Sequence, residues 1–230
     1  RQGAVPGPLW ASATAQRGPQ EESAMRSNAE LADARREARA SAGGVALPGP
    51  LCPALIVPQD QADFSVSVGA LLALASRPGE SVEVLGPGGR PLLHARSGGT
   101  EGSALQWLEL VTTPASPYPH ARAGPLGAGA HQHGTVEIAG PQGDVFGWLA
   151  RDGACWRVRH SSGRPVLLIN VASQGAALSA HDASGAAVAF AATKEHGRTL
   201  QVRVEPGADA LLVLLCALAT VLASPPAPPS

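Results

Sequence analysis

Apolar and polar residues alternate in short runs between residues 51 and 204, which is typical of β-strands that bury one face and expose the other. Val82 and Val84 flank Glu83, and Trp156 and Val158 flank Arg157. Gly and Pro residues separate the runs, as turns do between antiparallel strands. The pattern predicts about a dozen strands, which are residues 54–57, 64–74, 82–85, 92–96, 105–111, 136–139, 145–150, 155–160, 166–171, 177–181, 188–193 and 200–204.

Four segments repeat one order of strand, short polar turn, glycine and strand. Their turn glycines are Gly89, Gly143, Gly163 and Gly185. Glycine adopts a positive φ without steric cost, so each is expected at the left-handed position of a hairpin turn. The repeat predicts an antiparallel meander and argues against a doubly wound parallel sheet. Residues 114–134 are rich in Gly, Pro and His without any period, and we expect a flexible surface loop there.

The segment 209–223 carries no charge after Asp209 and is followed by Pro225 and Pro226. Asp is a favourable N-cap and proline stops a helix, so we predict a helix over 209–223. Because it is apolar on every face, protein or lipid must surround it. At ~1.5 Å per residue it reaches about 22 Å, short of the ~30 Å hydrocarbon layer. The length favours a buried core helix, and a tail anchor is the alternative.

Residues 1–49 contain few aliphatic side chains, too few to offset the entropy of ordering, so we expect a disordered arm rich in Ala, Gly and Arg. The chain begins with Arg1 rather than Met, and we expect a fragment or a processed product. One β-rich domain over 50–224 and a Pro-rich tail over 225–230 complete the predicted organisation.

The succession of hairpins and a wholly apolar C-terminal helix resembles the tubby C-terminal-like superfamily, which includes phospholipid scramblases and plant LURP-one-related proteins. The four hairpins and residues 209–223 carry the resemblance, which covers about residues 51–223. It implies a mainly β fold, a closed antiparallel barrel of about twelve strands around the buried helix. A barrel of that width needs a central filler, because its own side chains cannot fill the interior.

Members of this superfamily bind phosphoinositides, associate with membranes, or have been proposed to move phospholipids between leaflets. The resemblance therefore implies a non-enzymatic module, cytoplasmic or peripheral to a membrane, with anionic phospholipid headgroups as partners. A soluble scaffold that binds other proteins is the alternative on the same fold. Tubby-type lipid sites use clustered Lys and Arg, and the best basic cluster here comprises Arg151, Arg157, Arg159 and Arg164. Solubilising arginines on the wet face of a strand would give the same spacing.

The charge, the cysteine count and the lack of certain motifs argue against several other functions. A net charge of -1 and a pI near 6.7 leave no electrostatic footprint for nucleic acid. Three widely spaced cysteines form neither a disulfide framework nor a zinc knuckle, which indicates a reducing, intracellular compartment. No G-x-S-x-G elbow or phosphate-binding loop is present in the sequence, so we expect neither an enzyme nor a cofactor.

Two candidate metal sites are also weak. The spacing of His131 and His133 would allow both imidazoles to bind one metal ion, with His120 of the same predicted loop as a third ligand. We interpret these histidines instead as part of a polar tract. The resemblance places scramblase-type calcium binding before the terminal helix, where this chain has only Glu205 and Asp209. Two carboxylates do not supply the six to eight oxygen ligands of Ca²⁺, so no metal site is predicted.

Overall fold

Twelve antiparallel strands pair edge to edge in the computed structural model, which describes residues 49–57, 60–77, 79–98, 107–126, 135–172 and 177–223. The predicted arm, apart from Gly49, and the Pro-rich tail lie outside the described residues. The strands are β1 (Ala62–Ser67), β2 (Ser81–Leu85), β3 (Pro91–Gly98), β4 (Trp107–Val111), β5 (Ala121–Gly124), β6 (Thr135–Ala139), β7 (Val145–Asp152), β8 (Cys155–His160), β9 (Pro165–Val171), β10 (Ala177–Asp182), β11 (Ala187–Lys194) and β12 (Thr199–Val204). The helices are α1 (Val68–Ala73) and α2 (Ala210–Ala223).

Each strand pairs with its neighbour in the sequence, and β12 closes the barrel against β1. The closing ladder runs from Ala62 opposite Val204 to Ser67 opposite Thr199. Each of the twelve described strands therefore has a neighbour on both sides, which removes the free edge strands that promote aggregation. The predicted closed antiparallel barrel is confirmed.

The four repeated hairpins share one backbone geometry. The turn glycines have φ between 71° and 84°, and each donates its N–H to the carbonyl oxygen three residues earlier, at 2.7 to 3.0 Å. Each pair of strands also shifts register by one residue beside its turn. This combination of a left-handed glycine and an adjacent bulge increases the local twist of the strands, which helps a meander to curl into a barrel.

The C-terminal helix α2 fills the barrel. All fourteen residues of α2 are buried, which confirms the prediction of a core helix surrounded by protein. Its contacts include β4, β5 and β12. Among the described residues, no helix combines the length and the apolar content that crossing a bilayer requires.

Asp209 fixes the start of α2. One carboxylate oxygen accepts the N–H of Leu212 at 3.0 Å, as an N-cap does, and the other accepts the N–H of Cys52 at 3.1 Å. Two backbone hydrogen bonds join Val57 to Ala208 and Gly207. The strap formed by residues 51–57 is thus tied to the entrance of the core helix.

Three predicted elements differ from the structure. Residues 54–57 form no strand, because Pro53 starts a short 3₁₀ turn up to Leu55 and only Ile56 makes a bridge, to Asp209. The predicted strand 64–74 ends at Ser67, whose hydroxyl caps α1 by accepting the N–H of Ala70.

Strand β5 lies inside the predicted loop 114–134. It went unrecognised because its inward side chains are only alanines, Ala121 and Ala123, both fully buried. Small side chains let α2 pass close to this part of the wall. The predicted number of strands is therefore right only because one false strand offsets this missed one.

Gly147 in β7 is required by close packing of the backbone. A Cβ atom there would lie 2.0 Å from the carbonyl oxygen of Arg159, so we expect Gly147→Ala to force β7 and β8 apart and to lower the free energy of unfolding by about 1 to 3 kcal/mol. Gly69→Ala is the control, because its Cβ meets nothing within 4 Å and alanine favours a helix. Urea unfolding measures both, and equal stability of the two variants would contradict the packing argument.

Burial raises the pKa of Asp209 above its ordinary value of 3.8, against the opposing effect of the backbone N–H groups it accepts. The folded chain therefore holds this proton more tightly than the unfolded chain, and that contribution to stability fades as the pH rises through the folded pKa. The Asp209→Asn variant lacks this titrating group. We therefore expect the difference in the free energy of unfolding, wild type minus variant, to fall as the pH rises from about 4 to about 7. A constant or rising difference in urea titrations would refute this.

Candidate functional site

The predicted basic cluster separates into three arginines on one part of the wall and a fourth, Arg151, at the end of the barrel. Arg157 and Arg159 point outward from β8 and alternate with the buried Trp156 and Val158, as alternation predicts. Arg164 lies exposed in the turn after β8, towards which Arg159 extends to donate to the carbonyl oxygen of Gly163 at 3.4 Å.

Arg151 does not belong to that outward row. Arg151 is paired with the buried Trp156 across β7 and β8, a position that faces the inside of the barrel. Because it is close to the end of β7, its side chain is nevertheless exposed. Its Nε donates to the carbonyl oxygen of Gly153 at 3.3 Å. The structure therefore brings Arg157, Arg159 and Arg164 along one part of the wall and leaves Arg151 at the end of the barrel.

Arg157 has a carboxylate partner. Its Nη2 lies 2.9 Å from Oδ2 of Asp152, and both side chains are substantially exposed. An exposed pair of this kind contributes only about 0 to 1 kcal/mol, because water screens both charges. Asp152 thus lowers the net positive charge around Arg157 without immobilising it.

A cleft of about 420 Å³ opens on the outer surface of β8, β9 and β10 beside Arg157. Its lining comprises Arg157, Pro165, Leu167, Leu168, Asn170, His181, Asp182, Ala183 and Gly185. Strand register explains its shape. Arg157, Leu168 and His181 are successive cross-strand neighbours, as are Cys155, Asn170 and Ser179 in the next row.

Hydrogen bonds hold the side chains of the cleft in place. The thiol of Cys155 donates to Oδ1 of Asn170 at 3.0 Å. The ring of His181 bonds Ser179 Oγ through Nε2 and the carbonyl oxygen of Gly185 through Nδ1, both at 3.3 Å. Since a carbonyl oxygen only accepts, Nδ1 carries a proton.

The turn that lines one side of the cleft is also held by hydrogen bonds. Oδ1 of Asp182 accepts the backbone N–H groups of Ser184 at 2.9 Å and of Ala186 at 3.0 Å, which is the geometry of an Asx turn. The cleft is therefore formed before any ligand arrives.

The tryptophans occupy three different environments. Trp156 is buried in the core, and Trp107 is half-buried beneath the guanidinium of Arg122, 4.8 Å from the ring centre. Trp148 is 37% exposed on the outer face of β7, directly opposite Arg159. An exposed tryptophan beside arginines suits a surface that is partly apolar and partly wet.

The described residues offer no cluster of three or more His, Cys, Asp or Glu side chains that could hold a metal ion. Asp209 caps the core helix, and Glu205 accepts a hydrogen bond from Gln61 at 3.4 Å. His120 bonds the hydroxyl of Thr112 at 2.6 Å, whereas His131 and His133 lie outside the described residues. Burial raises the pKa of the Cys216 thiol, with a smaller contribution from Asp209, so this sulfur stays protonated.

Comparisons with known proteins identify the fold. No family model matches the chain, and no curated protein matches it. An X-ray structure of a protein from Arabidopsis thaliana superposes with a TM-score of 0.55 and 14% sequence identity, over 76% of this chain and 98% of that chain. At this identity the likeness shows the fold alone. Together with the twelve-stranded barrel, it fits the tubby-like fold that the sequence resembles.

Proposed function

We propose that this barrel is a non-enzymatic, phospholipid-associated module that binds anionic headgroups on the outer face of β8 and β9. The observation that carries the proposal is the preformed cleft with Arg157 in its lining. A guanidinium has five N–H donors and suits phosphate geometry. The pair with Asp152 involves Nη2, so further acceptors have donors to bind.

The surroundings of the cleft support attachment to a membrane. Arg159 and Trp148 are cross-strand neighbours on the same outer face. Basic side chains near an anionic leaflet contribute about 1 kcal/mol each, and tryptophan favours the interfacial region of a bilayer. A barrel that rests on this wall would bring the headgroup region to the mouth of the cleft.

The first experiment measures co-sedimentation with vesicles of phosphatidylcholine and phosphatidylglycerol. We expect Arg157→Glu with Arg159→Glu to weaken binding about tenfold or more, because two attractive charges become repulsive. The matched control replaces the exposed Arg90 and Arg198 by Glu, with the same change in net charge. Equal losses in both double variants would mean that only net charge matters, and the proposed wall would be wrong.

A second experiment strengthens binding instead of weakening it. Asp152→Asn removes the carboxylate partner of Arg157, while Asp63→Asn removes that of Arg203 in a similar pair, at 3.0 Å on another wall. Both variants gain one positive charge. We expect Asp152→Asn to increase vesicle affinity severalfold more than Asp63→Asn, because only the former frees an arginine at the cleft. The reverse order would move the lipid-binding surface to β12.

A protein-binding scaffold is the second candidate, and Phe190 favours it. This side chain is 53% exposed on the outer face of β11, between Ser179 and Arg203. Large aromatic side chains are enriched where proteins bind each other. A scaffold of this kind would show no affinity for anionic vesicles, and Arg157→Glu with Arg159→Glu would leave its partner binding unchanged.

A further inference from the structure

We infer that the cleft selects a headgroup with a single phosphodiester charge over a polyphosphorylated one. The inference rests on the proposed function and concerns the same site. It follows from the number of hydrogen-bond donors in the cleft, the charges around it and its apolar floor.

The donors of the cleft suit one phosphate group. Oδ1 of Asn170 accepts the thiol of Cys155 at 3.0 Å, which orients the amide so that Nδ2 carries the two N–H donors. Arg157 supplies the second donor group from the neighbouring strand. A phosphodiester has two non-bridging oxygens, so one amide and one guanidinium can bind both of them.

His181 does not add a second anion site. Both ring nitrogens are already engaged, one by Ser179 and the other by Gly185. The ring therefore has a fixed position on the far side of the cleft. It lies about 10 Å from the backbone of Arg157, because β8 and β10 are two strand spacings apart. That width admits one phosphodiester and its glycerol.

The charges that line the cleft itself do not favour a polyanion, because Arg159, opposite Pro165, extends to the carbonyl oxygen of Gly163 in the turn. Among the described residues that line the cleft, Arg157 is the only arginine and Asp182 the only acidic residue. Asp152 adds a second carboxylate, 2.9 Å from the Arg157 guanidinium. Each additional phosphate monoester would bring about two more negative charges close to these carboxylates, at a cost set by Coulomb repulsion.

The floor of the cleft is apolar. Leu168 lies between Arg157 and His181 in the cross-strand row, and the exposed Pro165 lines the same side. Apolar area of this kind suits glycerol and ester carbons better than a second hydrated phosphate. The donors and the floor together match the phosphodiester end of a lipid headgroup.

The test compares phosphatidylinositol with phosphatidylinositol 4,5-bisphosphate, each in phosphatidylcholine vesicles adjusted to equal surface charge. The two lipids share ring, glycerol and phosphodiester and differ in the two monoesters. We expect severalfold tighter binding to the phosphatidylinositol vesicles. Tighter binding to the bisphosphate at equal surface charge would overturn the inference and leave the proposed function standing, whereas no binding to either vesicle would overturn both.

A matched pair of variants assigns the effect to the cleft. Asn170→Asp keeps the acceptor for Cys155 but replaces Nδ2 by a carboxylate oxygen, and Gln201→Glu makes the same change of charge on the outer face of β12. We expect Asn170→Asp to weaken phosphatidylinositol binding about tenfold and Gln201→Glu to change it less than about twofold. Equal effects would show that the cleft does not bind the phosphate.

Soluble glycerophosphoinositol separates the two sources of a phosphodiester. If the lipid is the ligand, this compound competes only weakly with vesicles, because it has no acyl chains and no surface to hold it. Competition at concentrations comparable to those of the lipid would keep the phosphodiester class but assign the cleft to a free metabolite, and the membrane proposal would fail.

Discussion

The barrel exists only because an apolar helix fills it. Twelve strands enclose more space than their inward side chains can occupy, and α2 supplies the missing volume with residues that are buried on every face. The wall adapts to the helix where it must, as at Ala121 and Ala123 in β5. Asp209 then fixes the position of the helix by capping it and by accepting the N–H of Cys52 in the strap. The backbone N–H groups that Asp209 accepts offset only part of the cost of its burial, so its pKa stays above the ordinary value.

The repeated hairpins connect that fold to its surface. Each hairpin fixes the register of two strands, since a one-residue shift would turn its apolar side chains outward. The turns at Gly163 and Gly185 determine the register of β8, β9 and β10. That register places three side chains in one row across the outer wall, those of Arg157, Leu168 and His181. The cleft is thus a consequence of strand register, and its rigidity comes from hydrogen bonds within the turns.

The sequence was sufficient for the architecture and insufficient for the site. Alternation, turn glycines and the apolar run each act over a few residues, so the strands, the antiparallel meander and the helix could be predicted from local pattern. Closure of the barrel around the helix was implied by the resemblance to a known superfamily. Strand β5 was missed because alanines carry no such pattern. The cleft depends on which side chains meet across strands, and Asn170 gives no signal in its own segment. The register implied by the four hairpins is the signal from which this row could have been predicted.

The outer wall carries carboxylates as well as arginines, so it differs from a simple basic patch. A cluster of arginines alone would attract any anion, and its affinity would follow the charge of the ligand. Here Asp152 pairs with Arg157, and Asp182 holds the turn that lines the cleft, so the proposed attraction at Arg157 depends more on contact than on long-range charge. On the proposed function, selectivity comes from shape and from the two donor groups at Arg157 and Asn170. Binding through contact of this kind favours a cleft that is formed in advance, and the hydrogen bonds of the Asp182 turn support such a cleft.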